Sequence, residues 1–141
     1  MWYNLQKVKM KISKNSQCPC GSKLKYKKCC QIYHNGALAK DALTLMKSRY
    51  SAYATNNANY IIKTTHPNNS DYTEDKLKWK QAIEAFSKTT SFEKLEILEY
   101  TPGEQEAFVK FRATLSGSFM VEKSRFLKIK NQWLYVDGKF E

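Results

Sequence analysis

The stretch QEAFVKFRATLSGSFMVEKSRFLKIK, Gln105 to Lys130, decides the fold class. Its first part alternates: Ala107, Val109, Phe111, Ala113 and Leu115 fall on one face of an extended chain. Ser116-Gly117-Ser118 supplies the residues of a tight hairpin turn. Phe119–Lys130 then reads as a long strand, with Val121, Leu127 and Ile129 on one face and Met120 and Phe126 on the other. Upstream, Phe92–Tyr100 carries Leu95, Ile97 and Leu98 and reads as a further strand, closed by a turn at Gly103. Downstream, Lys130-Asn131-Gln132 turns the chain into a last strand, Trp133–Val136.

Before Phe92 the apolar period lengthens to that of a helix. Leu38, Ala42, Leu45, Met46, Tyr50 and Tyr53 recur at three- and four-residue spacing and predict a helix over Ala37–Ala54. Asn56–Asn59 breaks it. Tyr60–Thr65 reads as a short second helical segment, ended by His66-Pro67 because the residue before proline avoids the helical region. Thr73–Ser87 reads as a third helix, capped by Thr73, with Trp79, Ala82, Ile83 and Phe86 facing inward and Leu77 off that stripe. Helices followed by about four antiparallel strands make an α+β domain.

The chain has 141 residues, enough to bury a core without covalent staples, so its four cysteines need another explanation. All lie between Gln17 and Tyr33, as Cys18-Pro-Cys20-Gly-Ser and, after six more residues, Cys29-Cys30. Two close ligand pairs with a loop between them can close a tetrahedral zinc site, each sulfur at about 2.3 Å from the metal. Gly21 suits the turn after the first pair, where backbone N–H groups are expected to point at the thiolates. Lys23, Lys25, Lys27 and Lys28 offset the charge of four thiolates and keep the cysteines deprotonated. Adjacent cysteines do not pair with each other without strain, and clustered cysteines in a reducing compartment are metal ligands more often than disulfides. The reading is one structural zinc ion on Cys18, Cys20, Cys29 and Cys30, with His34 as a rival to Cys30 for the fourth position. Such a site is coordinatively closed, which argues against zinc catalysis.

Net charge is +11, and its placement is uneven. Residues 1–40 hold nine lysines and no acid; the other basic residues and all 13 acids lie beyond them. The positive field belongs to the N-terminal part. No apolar run approaches the roughly 20 residues that span a bilayer, and Met1–Ser13 lacks the apolar core of a signal peptide, so no membrane insertion and a soluble cytoplasmic protein are expected. The division is a basic extension over residues 1–16, with weak alternation at Val8, Met10 and Ile12, a knuckle over 17–35 and the α+β domain over 36–141.

The run Cys-Pro-Cys-Gly-Ser…Tyr-Lys-Lys-Cys-Cys resembles the SEC-C motif, the zinc-binding tail of the bacterial preprotein-translocase ATPase, where the last ligand is often His rather than Cys30. There the tail docks on an export chaperone and on the ribosome. Met46-Lys-Ser-Arg-Tyr-Ser-Ala-Tyr, Tyr60-Ile-Ile-Lys-Thr-Thr-His-Pro, Glu122-Lys-Ser-Arg-Phe and Trp133-Leu-Tyr-Val-Asp-Gly resemble blocks of the uncharacterised bacterial YchJ family. That resemblance implies a nuclear-transport-factor-2-like domain: a curved antiparallel sheet wrapped by helices into a cystatin-like cone. A His usual in the family near Glu122 is replaced here, since Met120 and Val121 precede it. The resemblance gives fold and metal, not an activity.

Two function classes follow. In the first, the lysine-dense zinc knuckle docks on an acidic protein surface or on the ribosome or RNA, with Tyr26 and Tyr33 as candidate base-stacking residues. In the second, the cone is a pocket for a small anionic ligand, of hydratase- or isomerase-like type, with Arg49, Tyr53, His66, Trp79 and Arg125 at its mouth beside Tyr50 and Tyr60. The plainer reading of Arg49 and Arg125 is as structural ion-pair anchors, with Glu99 or Glu106 among the partners open to Arg125, and of His66 as a helix-end residue. The balance favours the binding module and leans away from an enzyme.

Overall fold

In the computed structural model, residues 12–141 are described; residues 1–11 and the strand-like alternation at Val8 and Met10 lie outside them. Four helices precede four strands: α1 (Cys30–His34), α2 (Ala42–Ala54), α3 (Ala58–Lys63), α4 (Lys76–Thr89), β1 (Phe92–Thr101), β2 (Glu106–Leu115), β3 (Ser118–Ile129) and β4 (Gln132–Phe140). The strands form one antiparallel meander in the order β1-β2-β3-β4.

Turn chemistry sets the sheet's register. Ser116 and Gly117 both have positive φ, 48° and 86°, and so do Lys130 and Asn131, 49° and 66°. Two-residue turns of this hand match the twist of the strands they join. The first places Ala113 opposite Met120, Phe111 opposite Glu122, Val109 opposite Ser124 and Ala107 opposite Phe126. Ala107, Val109, Phe111 and Ala113 are buried, as their alternation predicts. On β3 the inward face is therefore Met120, Glu122, Ser124 and Phe126; Val121, Arg125, Leu127 and Ile129 look outward. Irregularities between Phe92 and Lys94, Ile97 and Glu99, and Arg125 and Phe126 bend the ladder.

α2 packs on the concave face, with α1, α3 and α4 against it. α2 begins at Ala42, later than the apolar spacing predicts, because the Asp41 carboxylate accepts a hydrogen bond from Thr44 N–H (2.7 Å) and fixes the start. Leu38 thus lies outside the helix and is 57 % exposed. Asp75, not Thr73, caps α4 by accepting from Lys78 N–H, at 3.1 Å. The buried stripe of α4 is Trp79, Ile83 and Ser87; Ala82 is exposed and Phe86 half-exposed. β4 runs four residues past Val136 and is tied at its free edge to the end of α3: His66 N–H donates to Tyr135 O (2.8 Å) and Tyr135 N–H to Thr64 O (2.9 Å).

Phe126 and Arg125 are neighbours on opposite faces. Phe126 is 1 % exposed, whereas Arg125 pairs on the surface with Asp137 and Glu106. Phe126→Ala is expected to lose about 3–5 kcal/mol in urea unfolding, and Arg125→Ala about 1 kcal/mol or less. Equal losses would contradict this register.

Candidate metal centre and cone cavity

The cysteines sit in a hairpin too small for an apolar core. Its backbone is closed by Cys18 N–H donating to Leu24 O (2.8 Å) and Tyr26 N–H to Ser16 O (2.8 Å), and a short 3₁₀ turn, Tyr26–Lys28, leads into α1. Gly21 takes φ +86°, a conformation open to glycine, and its N–H donates to the Cys18 carbonyl rather than toward a sulfur.

This path brings the four Sγ atoms within 4.8 Å of one another. Cys20 and Cys29 sulfurs lie 3.6 Å apart, and no disulfide joins the four. Cys18, Cys20 and Cys30 are buried. Leu95 on β1 and Ile12 pack against the cluster, so the centre lies between the hairpin and the domain. Two hydroxyls approach the sulfurs: Ser22 Oγ at 3.1 Å from Cys29 and Ser51 Oγ, on α2, at 3.4 Å from Cys18. Hydrogen bonds from Cys20 and Cys30 hold the Cys18 thiol far below its usual range. The same bond to Cys18 pushes Cys20 up to about 11 and pushes Cys30 up as well. Thiols crowded this closely compete for protons, and a soft cation that replaces those protons removes the conflict. Four closely set thiolates fit a tetrahedral metal ion.

His34 is not part of the cluster. Its Nε2 meets Ser48 O at 2.8 Å and its Nδ1 meets the Tyr26 hydroxyl, so both nitrogens are engaged in joining the hairpin to α2. Burial lowers its pKa. Tyr26 is buried, and Tyr33, half-buried, packs against the domain core.

On its other side α2 borders a cavity of about 210 Å³ against the concave sheet. Arg49 and Tyr53 line it, as does Tyr50. His66, Trp79 and Arg125 do not. His66 accepts from Asn68 N–H (3.0 Å) in the loop after α3. Trp79 stacks edge-on with Tyr72 beneath α4. Arg125 lies on the outer face, held by Asp137 at 3.0 Å and Glu106 at 3.3 Å. The strand alternation sets Glu122 on the face opposite Arg125, but sequence reasoning did not place it or Tyr135 in the cavity, which both line with Ser124. The signal was present: a two-residue turn at Ser116-Gly117 sets Glu122 opposite Phe111, inside.

Among the described residues no helix is long and apolar enough to cross a membrane. A family profile described as the YchJ middle NTF2-like domain matches residues 41–138, and the SEC-C motif profile matches residues 15–32. A UPF0225 protein of Yersinia pestis is 41 % identical over 132 residues, covering 86 % of this chain and 81 % of that one. A solved SEC-C motif-containing protein from Psychrobacter arcticus superposes with a TM-score of 0.76 at 31 % identity, covering 91 % of this chain and 84 % of that one. One from Rhodopseudomonas palustris gives 0.71 at 27 %, covering 88 % and 98 %.

Two outcomes are expected. Ser51→Ala removes a hydroxyl beside Cys18 and lowers metal affinity about tenfold or more in a chromophoric-chelator competition. His34, with its folded pKa below the unfolded value, contributes stability that is complete above about pH 6.5 and is lost as pH falls below it; His34→Gln flattens that part of the stability–pH curve, as read by urea unfolding.

Proposed function

The chain belongs to the YchJ family of SEC-C motif proteins, and from that membership we propose that it is a zinc-binding adaptor whose metal-closed basic knuckle docks on an acidic protein surface. The carrying observation is the convergence of the four sulfurs. The 3.6 Å separation of Cys20 and Cys29 is close to the edge of a sulfur tetrahedron, roughly 3.8 Å for bonds of about 2.3 Å to zinc. Thiolate donors select a soft or borderline cation, and zinc adds no redox chemistry. Cys18, Cys20, Cys29 and Cys30 would hold it, and the ion would supply cross-linking rather than catalysis, because all four positions are filled by protein.

Lys23, Lys25, Lys27 and Lys28 are exposed on the same hairpin as Leu24, which is 54 % exposed. Cations around an apolar tip suit an acidic protein with an apolar centre better than a phosphate backbone alone. With Tyr26 buried and Tyr33 half-buried, the knuckle offers little aromatic surface on which bases could stack. A cytoplasmic setting, where thiols stay reduced, belongs to the same reading.

Fluorescence anisotropy with labelled poly-L-glutamate and poly(U) tests the proposal. Expected are binding to poly-L-glutamate that weakens steeply with added salt, weaker binding to poly(U), and loss of binding in Lys23→Glu/Lys25→Glu/Lys27→Glu. No binding at low salt, or a variant that binds as well as the parent, would falsify it; tighter binding to poly(U) would replace the acidic protein with RNA.

A further inference from the structure

The concave face of an antiparallel sheet under helices is normally apolar, yet Glu122 stands on it between Met120 and Ser124. Glu122 is half-buried there, and a carboxylate set among apolar side chains needs hydrogen-bond partners. No cation pairs with Glu122 among the described residues. Its Oε2 instead accepts from the Ser124 hydroxyl and from the Tyr135 hydroxyl, at 3.0 Å. The seat is shaped by a missing side chain: a Cβ on Gly138 would collide with the Glu122 carboxyl.

Arg49 is the second charge on the same wall. It is 8 % exposed, and its Nη1 donates to Ile61 O (3.1 Å), Thr64 Oγ1 (2.8 Å) and Thr65 Oγ1 (3.1 Å). The guanidinium lies 4.7 Å from the centre of the Tyr135 ring. Among the described residues no carboxylate pairs with it, and its Nε and Nη2 make no hydrogen bond. Tyr135 therefore stands between two unpaired charges of opposite sign, touching one with its ring and the other with its hydroxyl. Tyr50, also on the cavity wall, has a buried hydroxyl with no hydrogen-bond partner among the described residues. Around these groups the lining is apolar, with Phe86, Phe92, Phe111 and Phe126 among it.

We infer that this cavity binds a small apolar molecule of zero net charge whose head group joins a hydrogen-bond acceptor, met by Arg49, to a donor, met by Glu122. A ligand with a carboxylate alone would face Glu122, and one with an ammonium alone would face Arg49; a zwitterion or a neutral amide satisfies both. The volume limits the body. An apolar cavity of ~150 Å³ accepts benzene, and drug-sized pockets begin near ~300 Å³, so 210 Å³ suits one ring or a short branched chain with a compact head.

The test uses the full chain and four probes: L-phenylalanine and benzamide, both of zero net charge, with 3-phenylpropanoate and 2-phenylethylamine as singly charged relatives. The methyl groups of Met46 and Met120 line the cavity and report binding in carbon–proton correlation spectra. At least one neutral probe is expected to shift both methyls saturably, with both charged relatives about tenfold weaker or worse. Glu122→Gln keeps the shape and is expected to weaken that probe about tenfold without lowering the melting temperature. Gly138→Ala, which displaces the carboxyl from its seat, is expected to weaken it likewise. Absence of saturable shifts with either neutral probe overturns the inference. So does a charged relative that binds as tightly, or an affinity untouched by Glu122→Gln.

Discussion

Four sulfur atoms meeting against the back of one helix are the constraint on which the N-terminal part depends. The hairpin from Gln17 to Cys30 is closed by a few backbone hydrogen bonds, and its buried side chains are little more than Tyr26 and the cysteines themselves. Such a segment is too small to offset its own ordering entropy by burial. Its lysines repel one another and gain from nearby thiolates. A cation at the centre would reverse the sign of the problem, turning crowded thiols into ligands and fixing the path of the chain.

α2 joins this centre to the rest of the molecule. Its Ser48 carbonyl receives His34, and its Ser51 hydroxyl approaches Cys18. One face of the helix thus closes the cysteine cluster, while Met46, Arg49, Tyr50 and Tyr53 on other faces border the cavity. The knuckle is in this sense built against the cone rather than appended to it. Substitutions on α2 far from either site are expected to be felt at both, because a packed helix shifts as a unit.

Much of the fold was legible because local rules and tertiary needs agree. The alternation of Ala107 to Leu115 became β2, and the turn residues at Ser116-Gly117 and Lys130-Asn131 became the hairpins that periodicity requires. The cysteine spacing gave the cluster without help from any other residue. Where two cues competed, reading faltered. The apolar Leu38 extends the spacing of α2, but the Asp41 cap overrides it. Arg49 and Arg125 look alike in sequence, each beside an apolar stripe; only the strand register shows that Arg125 faces outward to Asp137 and Glu106 while Arg49 faces in. Alternation sets Glu122 opposite in face to Arg125, but only the pairing of the strands shows that this face is the concave one and that Tyr135 shares it.

Binding of one metal ion by these four sulfurs is what the rest depends on. Zinc K-edge X-ray absorption on the purified, reduced protein measures it directly. One zinc per chain with a shell of four sulfurs at about 2.3 Å is expected. Substoichiometric zinc, or a shell containing nitrogen or oxygen in place of a sulfur, would contradict it.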